Sequence, residues 1–143
     1  MRSRDALDAP EALVLTMVLV AAADGGMSDR EIGVMAGQVQ TLPAFHDFTA
    51  EQLRSVTDAA VLLLNEEDGL RHAANLMCSA LEPRLRETAY ALACEVVAAN
   101  PVTRQRTLEM LDFVRNELHL DPLVASAIER GVRARHQRVE PPK

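Results

Sequence analysis

Apolar positions in this chain recur at spacings of three and four, and short clusters of Gly, Pro, Asp and Asn separate the runs. That period is helical, and no stretch shows the alternation of a half-buried strand. The first run, ALVLTMVLVAAA from Ala12 to Ala23, is apolar on every side and follows Pro10, a residue suited to a first helical turn. It predicts a central helix enclosed by neighbours and ending near Asp24 and Gly25. A second helix follows with Ile32, Met35 and Val39 inward and closes at Leu42 and Pro43, and AFHDF behind it reads as a loop packed through Phe45 and Phe48. Thr49 and Gln52 have capping-box spacing ahead of a third helix striped by Leu53, Val56, Ala60 and Leu63, which ends at NEEDG. Leu70, Ala73, Ala74, Met77 and Leu81 mark a fourth helix. Pro83 starts a fifth, whose segment RETAYALACEVVAA is again apolar round most of its circumference and closes at Asn100 and Pro101. Leu108, Leu111, Val114 and Leu118 stripe a sixth. Asp121 and Pro122 make an N-cap and first-turn pair for a seventh, which carries Leu123, Ala127 and Ile128 inward before the polar tail RARHQRVEPPK.

These elements sum to an all-α fold, a single compact domain of about seven helices with short connections. The domain runs over residues 10–136, between tails at 1–9 and 137–143. A length of 143 residues with 48% hydrophobic content suits one continuous core. The two ends of the pattern also resemble each other. With Asp24 set over Asn100, both halves show an apolar helix, a break and an amphipathic helix, and Ile32 lies over Leu108 and Met35 over Leu111. The polar positions disagree, since Glu31 falls on Thr107 and Gly25 on Pro101.

Charge and chemistry narrow the function classes. A net charge of −6 argues against a nucleic-acid binder, and four aromatic residues, Phe45, Phe48, Tyr90 and Phe113, give no stacking platform. Cys78 and Cys94 lack CxxC spacing and sit among apolar residues, which predicts buried free thiols in a reducing compartment. His46, His72, His119 and His136 are scattered, without a pair spaced to hold zinc. The Ala12–Ala23 run is too short to span a bilayer, which takes about 20 apolar residues. Asp5, Asp8 and Glu11 spoil the positive flank of a signal peptide, so a cytoplasmic protein is expected. No set of nucleophile, base and orienting residue marks an enzyme.

An apolar helix ending in AAADG, a small polar linker and an SDxE-like helix start resemble the tellurite-resistance TerB family, and LRETAYALACEVVAAN and LHLDPLVASAIERGVRARH extend the likeness over roughly residues 10–136. The resemblance implies two related helical halves, a role in bacterial tellurite or other chemical stress, no catalytic activity, and acidic motifs that chelate a divalent cation such as calcium or magnesium. Carried onto this chain, the first motif falls on Asp24 and Glu31 with Asp29 nearby. Its second-half counterparts are Asn100 and Thr107, where the fuller pattern has acids. Hard cations want several oxygens including carboxylates, so a site joining both halves is expected to bind weakly.

Local chemistry offers a plainer account of part of that motif. Ser28 and Glu31 have the spacing of a capping box, Asp29 suits a first-turn dipole, and Asp24 with Gly25 makes a turn. Capping leaves only the charge of Asp24 unexplained. Arg130, Arg133, Arg135, His136 and Arg138 gather positive charge at the end of an acidic chain. They are either a solvated helix end or the contact for an acidic protein partner or an anionic lipid surface. Two functional expectations result: a TerB-like module that holds a divalent cation weakly, and an interaction scaffold that keeps the fold without the metal. A homodimer is compatible with either, and no transmembrane segment is expected.

Overall fold

The computed structural model describes residues 6–100 and 102–140, and among them it is all-helical. Seven α-helices follow in order: α1 (Ala9–Ala21), α2 (Asp29–Thr41), α3 (Ala50–Leu64), α4 (Gly69–Ala80), α5 (Pro83–Ala98), α6 (Gln105–Glu117) and α7 (Pro122–Arg135). A 3-10 turn, Pro43–Phe45, lies between α2 and α3. No helix is long and apolar enough to cross a membrane among the described residues. Pro101, read above as closing the fifth helix, lies outside the described residues, as do residues 1–5 and 141–143 of the two tails.

Helix α1 is the axis of the fold, packed against α5 above all and also against α3, α4, α6 and α2. Every residue from Glu11 to Ala21 is buried. The one hydroxyl in that run, on Thr16, is satisfied within the helix by donating to the Ala12 carbonyl at 2.8 Å. The helix starts one residue earlier than Pro10 suggests, because Asp8 and Glu11 form a reciprocal capping box. It stops at Ala21, ahead of a turn in which Gly25 takes a positive φ of 111°, a conformation that suits glycine.

The expected caps at Ser28, Thr49 and Asp121 all form. Three inward stripes are corrected. On α2 and α6 the inward slots begin one residue earlier than the apolar pattern indicates: Glu31 and Thr107 are buried, while Ile32 and Leu108 are 46% and 45% exposed. On α7 the buried residues are Ala125 and Val132, and Leu123 and Ala127 face solvent. A polar residue thus takes a core-facing position at the same place in each half, which hydrophobicity alone cannot reveal.

Behind α1, a polar chain ties three helices together. The Tyr90 hydroxyl of α5 donates to Glu129 of α7, which also faces Arg115 of α6 at 3.5 Å. Burial pushes the neighbouring Cys94 thiol from 9.0 up to about 12, and burial with the Glu129 hydrogen bond raises the Tyr90 phenol above its ordinary 10.0. Groups whose pKa is raised by folding stabilise fully below their unfolded values and lose that contribution as pH rises through the folded ones. The urea midpoint is therefore expected to fall as pH climbs past 9.0, and Cys94→Ala, scanned over the same range, should flatten the early part of that decline. A wild-type midpoint level up to pH 11 or so would contradict this assignment.

Candidate functional site

The turn after α1 and the start of α2 meet the end of α5 and the start of α6 at a cleft of about 310 Å³. Asp24, Ser28 and Glu31 line it from the first half of the chain, and Asn100, Arg104 and Thr107 from the second. The four positions that the internal repeat sets in register, Asp24 with Asn100 and Glu31 with Thr107, therefore share one site.

Glu31 is fixed at both ends of its carboxylate. One oxygen accepts the Ser28 backbone N–H at 2.7 Å, while the Ser28 hydroxyl accepts the Glu31 N–H at 3.1 Å, completing the expected capping box. The other oxygen accepts the side-chain amide of Asn100 at 2.9 Å, across 69 residues of sequence. With 4% of its surface exposed, Glu31 depends on those N–H donors, because an unpaired buried carboxylate is costly. Capping accounts for only half of this side chain, and the other half joins the two halves of the protein.

Asp24 finds its partner in Arg104, whose Nε lies 3.2 Å from Oδ2. The repeat register sets this exposed arginine over Ser28. Arg104 occupies the N-cap of α6, the position Ser28 holds on α2, and it makes no capping hydrogen bond there. Where the first half has a capping box, the second half has a cation. Thr107, buried in the first turn of α6, lines the cleft and has no side-chain hydrogen bond among the described residues.

Asp29 is exposed in the first turn of α2, outside the lining of the cleft. It is not brought to Asp24 and Glu31, and its position suits the helix dipole. Glu66, Glu67 and Asp68 form the corner between α3 and α4 and do not line the cleft either. At the basic end of the chain, Arg130, Arg133 and Arg138 are exposed. Arg135 is instead engaged: with His136 it clamps Glu95 of α5, at 2.9 and 2.7 Å.

The donor set of the cleft does not fit a hard divalent cation as it stands. Calcium takes six to eight oxygens and magnesium a near-octahedral shell. Here two carboxylates face two sets of N–H donors, and among the described residues no three His, Cys, Asp or Glu side chains gather closely enough to hold a metal. No family model, no curated protein and no solved structure matches this chain. The likeness to TerB rests on the motifs alone.

Sequence reasoning placed Asp24 and Glu31 in a site but missed Arg104. The repeat register held the signal, since it sets an arginine over the capping serine.

Proposed function

We propose that this protein is a non-enzymatic, TerB-like helical module of bacterial tellurite or related chemical stress, working in the cytoplasm as an interaction scaffold that docks a protein partner. The observation that carries this reading is the convergence of Asp24, Glu31, Asn100 and Thr107 on one inter-half cleft, with the two carboxylates engaged by the chain's own nitrogen donors. Exposed apolar side chains support docking, although only Val102 among them lines the cleft itself. Val102 lines the cleft, and Ile32 and Leu108 follow Glu31 and Thr107 on the two helices; all three are large exposed apolar side chains. The free thiols of Cys78 and Cys94 agree with a reducing compartment. Arg130, Arg133 and Arg138 offer a second surface, suited to an acidic region of a partner or an anionic headgroup.

A weak divalent-cation site is the second reading. It requires Arg104 to leave Asp24 and the Asn100 amide to leave Glu31, which would free carboxylate oxygens beside the Thr107 hydroxyl in a single cleft.

Complementation tests the scaffold reading. Deleting the gene should lower tolerance to tellurite or to an oxidising challenge, and the wild-type chain should restore it. The doubly substituted Ile32→Glu, Leu108→Glu chain should stay folded, because surface changes cost within about 0.5 kcal/mol, yet fail to restore tolerance. Full rescue by that variant would remove the exposed Ile32 and Leu108 side chains from the function, and a deletion without phenotype would remove the stress role.

A further inference from the structure

We propose that Arg104 is the resident cation of the inter-half cleft: its guanidinium, tethered at the N-cap of α6, sits on Asp24 and excludes divalent ions from a site that Glu31 and Thr107 otherwise furnish. This rests on the reading that the cleft is the working site of the module.

Three observations meet here. Asp24 is a carboxylate whose partner comes from the other half of the chain, 80 residues away by number, at 3.2 Å. Glu31 is a buried carboxylate in the same wall. Thr107 lines the cleft with 4% of its surface exposed and has no side-chain hydrogen bond among the described residues, so its hydroxyl oxygen faces the cleft solvent, open to a ligand. Anionic and neutral oxygens together make a cation seat, and a guanidinium placed on the more accessible carboxylate competes for it by charge. The Asn100 amide reinforces the exclusion by turning N–H toward Glu31. A dication would have to displace both donors. Arg104 is itself 75% exposed on its side chain, so it can be changed without opening the core.

The test is a titration with Mn²⁺, read from paramagnetic broadening of backbone amide signals and from the thermal midpoint. It uses the full chain as wild type, Arg104→Lys, Arg104→Gln, and Arg104→Gln combined with Asn100→Asp. The wild type and Arg104→Lys, which keeps a tethered charge, should bind alike and weakly. Arg104→Gln should gain at least about tenfold in Mn²⁺ affinity, with broadening centred on residues 24–31 and 100–107. The double variant should gain more, and its midpoint should fall without the ion and recover with it. Equal affinity in the wild type and Arg104→Gln overturns the proposal, as does a lack of centred broadening in every variant. Neither outcome touches the complementation result, so the scaffold reading stands or falls separately.

Discussion

Replacing Arg86 with methionine should cost about 3 to 4 kcal/mol in urea unfolding, among the largest losses available from a single partly buried residue. Arg86 lies in α5, where its guanidinium donates from Nε to the Leu81 carbonyl at 3.0 Å, from one terminal nitrogen to the Cys78 carbonyl at 2.8 Å and from the other to the Leu118 carbonyl at 3.4 Å. Cys78 and Leu81 close α4, and Leu118 is the C-cap of α6. One side chain therefore satisfies the orphan carbonyls of two helix ends while belonging to a third helix. Hydrogen bonds from a charged donor contribute about 1.5 to 3 kcal/mol each, and partial solvent access together with the long third bond brings the sum down to the figure above. Methionine keeps the apolar stem and supplies no donor. Arg86→Lys places one ammonium where three N–H groups stood, so it should recover about half of the loss. A methionine variant within about 0.5 kcal/mol of wild type would mean that water caps these carbonyls equally well.

Gly69→Ala should destabilise by about 2 to 4 kcal/mol, although alanine is the better helix former by about 1 kcal/mol. A Cβ at Gly69 would lie 2.1 Å from the Leu63 carbonyl oxygen and 3.2 Å from the Leu64 carbonyl carbon, and both are backbone. Nothing there can rotate away. The adjoining Asp68 already sits at a positive φ of 56°, so the corner between α3 and α4 has no slack with which to back off. Gly37→Ala is the matched control: an added Cβ meets nothing within 4 Å, and this residue lies inside α2. That variant should gain about 0.5 to 1 kcal/mol from helix propensity. Parallel denaturant titrations give both signs, and equal shifts for the two alanines would reduce the corner to propensity alone.

The helices were legible because caps and period are local. Ser28 with Glu31, Thr49 with Gln52, and Asp121 with Pro122 all stand where spacing predicts. The site was half legible. The repeat set Asp24 over Asn100 and Glu31 over Thr107, and these residues do share a cleft. Their chemistry lay outside any local rule, because the partners of Glu31 and Asp24 come from the far half of the chain. Hydrophobic pattern misled at Ile32 and Leu108, where the apolar neighbour of a buried polar residue looks like the core position. Arg86 was unreadable for a similar reason: a cation in the first turns of a helix opposes the dipole, and only the folded contacts with α4 and α6 explain it.

Asp24 posed the question that capping left open, a charge in a turn with no local use. Arg104 answers it, from an N-cap position where it makes no capping hydrogen bond of its own. The two halves bring complementary chemistry to the junction: the acids stand on one side, the nitrogen donors on the other, and the protein closes it with its own side chains.

The measurement that tests this most directly is a double-mutant cycle between Glu31 and Asn100, using Glu31→Ala, Asn100→Ala and the combined variant in urea unfolding. The cycle cancels the damage that Glu31→Ala does to the α2 cap and isolates the contact across the halves. A part-buried, charge-assisted bond at 2.9 Å predicts a coupling of about 1 to 2 kcal/mol. Costs that add to within about 0.3 kcal/mol would mean the two residues do not meet, and the junction would then need another fastener.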